Sequence, residues 1–322
     1  LQYFDLHCDT ITECTIKGVP LSSNQLHIDL ARARKYSPWV QFFAVWTPDD
    51  LRGADAWKRF TQVYDNFLRE IRLNAQTTAF CGNAAEIDEA VQARKNVALL
   101  SIEGAACLCG RIDRLEEVWR RGVRMVTLTW NGKCETGDGC MVERDSGLSD
   151  FGREVVRRMD ALGMVADVSH LSQKGFWDLA KETGKPFIAS HSNSAAACPH
   201  RRNLKDDQFA EIVRRGGLVG LNFYPNFITG VGQANLMDLL RHIDHFLSLG
   251  GEDIIAIGSD FDGASMPDGV GGVQDMEKFY YILEHNYGPV ITGKIFYGNA
   301  YRFFHTALKD CGACNRAAYG IQ

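Results

Sequence analysis

Six side chains of metal-binding type each stand where a short apolar run ends. The first run is Tyr3-Phe4-Asp5-Leu6-His7-Cys8-Asp9-Thr10. Residues i and i+2 of a strand point to the same face, so His7 and Asp9 can aim at one spot just past a strand end. An imidazole and a carboxylate together suit a borderline metal such as zinc. Ser101-Ile102-Glu103-Gly104 supplies another carboxylate. Asp167-Val168-Ser169-His170 and Ala189-Ser190-His191-Ser192 supply two more imidazoles, and Gly258-Ser259-Asp260-Phe261-Asp262-Gly263 supplies further acids. Singly, each has an ordinary explanation: a helix-cap acid, a turn aspartate, a satisfied rim histidine. Gathered in one place they do not, because converging charges are costly unless paired or metal-bound.

Six such groups exceed what one tetrahedral zinc needs. They suit two ions ~3.5–4 Å apart, the arrangement of two-metal hydrolases. Glu103 has two oxygens and can bridge. His7 and Asp9 would hold one ion, His170 and His191 the other. A hydroxide between the ions would be the nucleophile. Asp260, also counted with the metal-site acids, would act as general base and then pass the proton to the leaving amine.

The elements that must position these groups are legible. Eight strand-like runs occur at Tyr3–His7, Val40–Trp46, Val97–Glu103, Arg124–Thr129, Met164–Ser169, Phe187–Ser190, Leu218–Asn222 and Ile254–Gly258. Most are nearly continuously apolar, as parallel strands buried on both faces are. Between them lie amphipathic stripes: Phe60, Val63, Tyr64, Phe67, Leu68 and Ile71 within 56–74; Val155, Val156, Met159 and Leu162; and Leu236, Leu239, Leu240, Ile243 and Leu247. Each is one helix face packing on a sheet, and Ser149 or Asp150 could cap the second. Eight alternations predict an α/β fold, a (β/α)8 TIM-type barrel, with the site at the C-terminal ends of the strands. A doubly wound sheet is the alternative, but no Gly-x-Gly-x-x-Gly follows the first run. Barrels of this size commonly form one unit, so residues 1–322 are expected to make a single domain.

Composition excludes several classes. The chain is 45% hydrophobic and 23% charged with a formal net charge of −5, and no basic run is long enough for a nucleic-acid surface. No apolar stretch reaches the ~20 residues of a membrane helix. No signal-peptide pattern is visible, which leads to the expectation of a cytoplasmic protein. The ten cysteines are scattered and read mostly as reduced, buried, small apolar residues. Cys311-Gly-Ala-Cys314 lacks a second CxxC for a structural zinc and reads as a local disulfide or two idle thiols.

A resemblance accompanies this reading. His7-Cys-Asp9, Ser101-Ile-Glu-Gly-Ala, Asp167-Val-Ser-His170, Ser190-His-Ser, Arg201-Arg-Asn203, Val219-Gly-Leu-Asn-Phe-Tyr224, His242-Ile-Asp-His245, Gly258-Ser-Asp-Phe-Asp-Gly263 and Tyr297-Gly-Asn-Ala-Tyr-Arg302 resemble, in order, the membrane (renal) dipeptidase family, peptidase family M19. The resemblance implies a dipeptidase with two zinc ions per chain. It assigns His7 and Asp9 to one zinc, Glu103 to the bridge, His170 and His191 to the other, and makes Asp260 the proton shuttle. It also implies that Arg202 binds the substrate's C-terminal carboxylate, which a guanidinium fork fits, and that a D-residue is tolerated there. Trp130, Asn131 and Tyr224 complete the candidate substrate-binding set. A homodimer is expected from the family and from base rates.

One departure stands out. Well-known members of that family have a histidine after the fourth strand, where this chain has Leu128-Thr129-Trp130-Asn131. An indole N–H donates one hydrogen bond but cannot take up and pass on a proton or bear a charge, so oxyanion stabilisation would fall to the metal or to Asn131. Two rivals to a dipeptidase follow. One is an N-acyl amino acid deacylase with the same site; the other is a ligand-binding barrel without catalysis. His242 and His245 lie off their helix's apolar stripe and read as structural or solvated. His200 reads as a loop residue, and the His27-x-Asp29 pair follows no clear strand.

Overall fold

The computed structural model describes residues 1–309, 311 and 312. Its strands are β1 (Tyr3–Cys8), β2 (Trp39–Trp46), β3 (Thr78–Phe80), β4 (Asn96–Glu103), β5 (Val123–Thr127), β6 (Lys133–Cys134), β7 (Gly137–Asp138), β8 (Val165–Asp167), β9 (Ile188–Ala189), β10 (Leu218–Leu221) and β11 (Ile255–Ile257). Eight of them pair in parallel in the order β1-β2-β4-β5-β8-β9-β10-β11, and Asp5 against Ile257 closes the ring. These are the eight runs expected from sequence, and the architecture is the TIM-type barrel. β3 adds three residues to the N-terminal part of β4, from Thr78↔Asn96 to Phe80↔Ala98. β6 and β7 form a small antiparallel hairpin after β5. Neither is long enough to show a period in sequence.

The helices use the stripes described above. In the helix Gly53–Leu73 all six stripe residues are buried. Phe67 meets Phe43 of β2 at 6.0 Å and Phe80 of β3 edge-on at 5.0 Å. Burying each such side chain is worth roughly 1.5–3 kcal/mol. Ser149, not Asp150, caps the helix Asp150–Leu162, its side chain accepting from the Gly152 N–H. The stripe 236–247 divides into a 3-10 turn, Leu236–Leu239, and a helix, Leu240–Ser248.

The barrel is apolar at one end and polar at the other. Phe4, Leu6, Phe42, Leu99, Met125, Val165, Ile188 and Leu218 fill its N-terminal half. The helix Asn299–Ala307 covers that end, with Phe304 4.6 Å from Phe42 and 5.7 Å from Phe4. Two and four residues beyond Leu99 on the same face come Ser101 and Glu103, so β4 turns from hydrocarbon to carboxylate as it rises. In β1 the register against β2 shifts between Asp5 and Cys8. That irregularity matters, because strict alternation from Phe4 and Leu6 would turn Cys8, not His7, inward. Gly220 and Gly258 flank the Ser190 carbonyl so closely that a Cβ on either would lie 1.9 or 1.8 Å from its oxygen.

No helix among the described residues is long and apolar enough to cross a membrane. Seven of the nine described cysteines are buried. The CxxC reading falls on Cys314, which lies outside the described residues; Cys311 is buried, with its thiol 3.1 Å from the Gly163 carbonyl.

Candidate metal centre

At the C-terminal mouth of the barrel three overlapping groups of donor atoms converge. His7, Asp9 and Glu103 form one, Glu103, His170 and His191 a second, and His7, His191 and Asp260 a third, with the donor atoms in each group within 4.8 Å of one another. All six residues are buried. His7 Nε2 lies 3.3 Å from Asp9 Oδ2 and 3.5 Å from Glu103 Oε2. Glu103 Oε1 lies 2.8 Å from His170 Nε2 and 3.5 Å from His191 Nε2. The two carboxylate oxygens of Glu103 thus face different sides of the cluster.

The surrounding groups fix which imidazole nitrogens are bare. His191 Nδ1 is 2.7 Å from Ser190 Oγ. That hydroxyl donates to Asp167 Oδ2 at 2.6 Å, so Ser190 can only accept from the ring, and Nδ1 carries the hydrogen. His170 Nδ1 is 2.9 Å from Asn131 Oδ1, an acceptor, so it too is the N–H. Both Nε2 atoms are then lone pairs, and they stand 3.0 Å apart. His7 stacks on His191 with ring centroids 3.9 Å apart. Its Nδ1 and the Oδ1 of Asp9 are buried with no partner among the described residues.

The charges point the same way. Burial and then Glu103 push the Asp9 carboxyl up to about 8. Burial also works against a charged Glu103, but His7 above all, with His170 and His191, holds it well below the usual carboxylate range. Burial and the charge of His7 drive His191 well below an ordinary imidazole. Against its burial, Glu103 and Asp9 in turn hold His7 well above an ordinary imidazole, so without a metal the cluster gathers protons in its place. A divalent cation at the centre of the donors would replace them, so the donor set fits a metal.

Backbone strain concentrates here. His170, Asp260 and Asp262 have φ of 67°, 62° and 68°. Such left-handed conformations cost non-glycine residues about 1–3 kcal/mol each. The turn Asp260–Gly263 is held by contacts far apart in sequence. Asn222 Nδ2 donates to Asp260 Oδ2 at 2.9 Å. Asp262 accepts from the Thr10 hydroxyl and, at 2.7 Å, from the His27 N–H, while its own N–H donates to His27 Nδ1 at 2.9 Å. A Cβ on Gly263 would sit 2.3 Å from Asp9 Oδ2 and 2.5 Å from Asp260 Oδ1.

A cavity of about 510 Å³ opens above the cluster, within the range of small-molecule sites. Trp130, Asn131 and Tyr224 line it, together with Trp46 and Phe227. Asn131 Nδ2 has no hydrogen-bond partner among the described residues, while its Oδ1 is anchored on His170. Arg202 does not line the cavity. It lies behind it, 4% exposed, donating to Ser192 Oγ at 3.3 Å and the His191 carbonyl at 3.2 Å. Its guanidinium sits 5.4 Å over the Phe227 ring, and its Nε is buried without a partner. No carboxylate among the described residues pairs with it.

The remaining histidines separate cleanly. His242 is fully buried, accepting from the Ser194 N–H at 3.2 Å and donating to the Ile228 carbonyl at 2.9 Å; it is structural, although the stripe count placed it outside the buried face. His245 pairs with Asp206 at the surface. His200 accepts from the Arg202 N–H. Asp29 caps the short helix Leu30–Ala33, while His27, given little weight from sequence, braces the acidic turn. Asn222, Ser190 and Asp167 were likewise not singled out as holders of the site. Their only sequence signal is position: each falls where its strand run turns polar.

A profile of the membrane dipeptidases, peptidase family M19, matches residues 1–311. The chain belongs to this family. Membership places it among the metal-dependent dipeptidases, hydrolases of peptide bonds. A solved M19 metallopeptidase, dipeptidase AC, superposes with a TM-score of 0.90 at 27% identity, covering 96% of this chain and 99% of that one. A Rhodobacter sphaeroides metallopeptidase, solved with a phosphinate mimic of the dipeptide L-Ala-D-Ala, superposes with a TM-score of 0.88 at 26% identity over 94% of this chain and 98% of that one. An uncharacterized dipeptidase of Schizosaccharomyces pombe is 30% identical over 280 residues, which span 79% of this M19 chain and 64% of the yeast protein.

Proposed function

We propose that this M19 chain is a binuclear zinc dipeptidase that cleaves short peptides with a free C-terminal carboxylate and accepts a D-residue at that end. The observation that carries the reading is the pair of bare Nε2 atoms on His170 and His191, facing a carboxylate whose other oxygen faces His7. His7 and Asp9 would hold one ion, His170 and His191 the other, with Glu103 between them and Asp260 alongside. Bound there, the two ions would supply Lewis acidity and lower the pKa of a water molecule to near neutrality.

The protein's own groups divide the remaining work. Asn222 holds Asp260 by Oδ2, which leaves Oδ1, 3.9 Å from His7 Nε2, to take a proton and return it to the leaving amine. The free amide N–H of Asn131, which lines the cavity, would donate to the developing oxyanion. Arg202 is a buried cation without a counter-ion, an arrangement that is strongly unfavourable until an anion arrives; the substrate carboxylate is the natural one. The L-Ala-D-Ala mimic bound by the Rhodobacter relative supports a D-residue at that position.

Metal analysis and a substrate panel test the reading together. The purified chain should contain about two zinc ions and hydrolyse L-L and L-D dipeptides. Turnover of N-acyl amino acids alone would replace the dipeptidase with a deacylase on the same centre. No metal uptake and no hydrolysis would leave only a ligand-binding barrel.

A further inference from the structure

The cavity above the donor cluster is one-sided in charge. Five carboxylates line it, those of Asp9, Glu13, Glu103, Asp260 and Asp262, and no lysine or arginine does among the described residues. Asp9, Glu103 and Asp260 belong to the donor groups. Asp262 is saturated by Thr10 and His27. Glu13 remains, outside the donor groups; it is the acid in the first turn of the helix Thr10–Lys17, and its side chain also lines the cavity.

Glu13 stands one helical turn beyond Asp9, its N–H bonded to the Asp9 carbonyl at 2.9 Å. Residues four apart share a helix face, displaced by about 5–6 Å, and Glu13 lines the same cavity as Asp9, Trp46 and Trp130. One of its oxygens meets Lys17 at 2.9 Å, but that lysine side chain is 53% exposed, and an exposed pair of this kind holds weakly. The other oxygen has no partner among the described residues. The adjacent residue, Thr12, fixes Trp46. Its hydroxyl accepts from the Trp46 N–H at 3.2 Å and donates to the Ala44 carbonyl at 2.9 Å. Trp46 in turn meets Trp130 edge-on, with ring centroids 5.2 Å apart. A carboxylate beside indole rings is a cation-binding wall. The unmatched guanidinium of Arg202 follows β9, three strands round the ring from β1. The cavity wall thus carries an available negative charge, and a positive charge with no carboxylate beside it among the described residues lies buried behind the cavity.

We propose that Glu13, with Trp46 and Trp130 beside it, binds the free α-ammonium group of the substrate and restricts the enzyme to peptides with an unblocked N-terminus. The inference rests on the dipeptidase reading above. An N-acylated dipeptide would lose the cation and set a carbonyl oxygen against the Glu13 carboxylate, and an N-acyl amino acid, whose acyl carbonyl is the scissile one, would offer Glu13 no cation at all.

The test compares L-alanyl-D-alanine with its deamino analogue, N-propionyl-D-alanine, used as a substrate or competitive inhibitor of the zinc-loaded protein. Glu13→Gln should raise KM for the dipeptide roughly 10-fold to 100-fold with a smaller change in kcat, and should shift binding of the analogue by less than about 3-fold. Lys17→Gln, which releases the carboxylate, should leave the dipeptide KM unchanged or lower it. An unaltered dipeptide KM in Glu13→Gln, an equal loss for both compounds, or a raised KM in Lys17→Gln would each overturn the assignment. A wild-type protein that binds the analogue and turns over no dipeptide would instead overturn the dipeptidase reading on which it rests.

Discussion

The Nε2 atoms of His170 and His191 lie 3.0 Å apart, and neighbouring acceptors make each of them a lone pair. Two lone pairs at hydrogen-bond distance repel unless a proton or a cation stands between or beside them. Asp167, through the Ser190 hydroxyl, holds His191 in this state. Such outer partners commonly change metal affinity 10-fold to 100-fold when removed. Ser190→Ala frees the His191 ring to change tautomer, so zinc affinity should fall by about that factor in a chelator competition, while the thermal midpoint of the metal-free protein changes little. Undiminished affinity would show that the relay does not set the ligand.

Asn222 holds Asp260, the residue proposed for proton transfer, by its Oδ2. Asp260→Asn should lower kcat by roughly 10² to 10⁴ while both metal ions largely remain. Asn222→Ala should lower kcat less and leave metal content unchanged. If Asp260→Asn sheds both metals, the residue is chiefly a ligand.

Arg202 is the buried cation behind His191. Arg202→Met keeps its length and its packing over Phe227 but removes the charge. A charged hydrogen bond lost to a substrate is worth about 1.5–3 kcal/mol, so KM for dipeptides should rise more than about tenfold. The same variant should bind a C-terminally amidated dipeptide as the parent does. A KM close to the parent's would remove Arg202 from the substrate site.

His242 gives the protein an acid limit to its stability. Burial pushes its pKa down from 6.5 to about 4; both ring nitrogens are committed, one of them as the acceptor of the Ser194 N–H. The unfolded chain therefore binds a proton between pH 6.5 and about 4 where the folded chain does not. The stability due to neutral His242 is complete above the unfolded pKa and is lost as pH falls towards 4, by roughly 3 kcal/mol in all. Denaturant midpoints of the parent and His242→Gln, followed from pH 7 to 4, should converge as the parent loses this contribution. A constant offset between the two would contradict the assignment.

The ring of eight strands was readable because buried parallel strands are continuous apolar runs and their helices carry one stripe each. The donor residues were readable because they follow those runs directly. β3 and the β6–β7 hairpin were not, since two or three residues show no period. His27 was passed over because its partner, Asp262, is 235 residues away in the chain. His242 was placed off the buried face because a stripe registers packing on the helix's own sheet, whereas Ser194 and Ile228 approach from other loops.

By itself, then, the sequence determined the barrel, the end of it that carries chemistry, and the identity of the residues gathered there. Apolar period and residue type are local properties, and a chain states them without folding. Three things waited on tertiary structure: which imidazole nitrogens are bare, the irregularity in β1 that brings His7 inward, and the burial of Arg202 with no carboxylate beside it among the described residues. Each depends on what lies within about 3–4 Å, the range over which hydrogen bonds and ion pairs act. Those neighbours are contributed by strands far apart in the chain, and only closure of the ring sets them side by side.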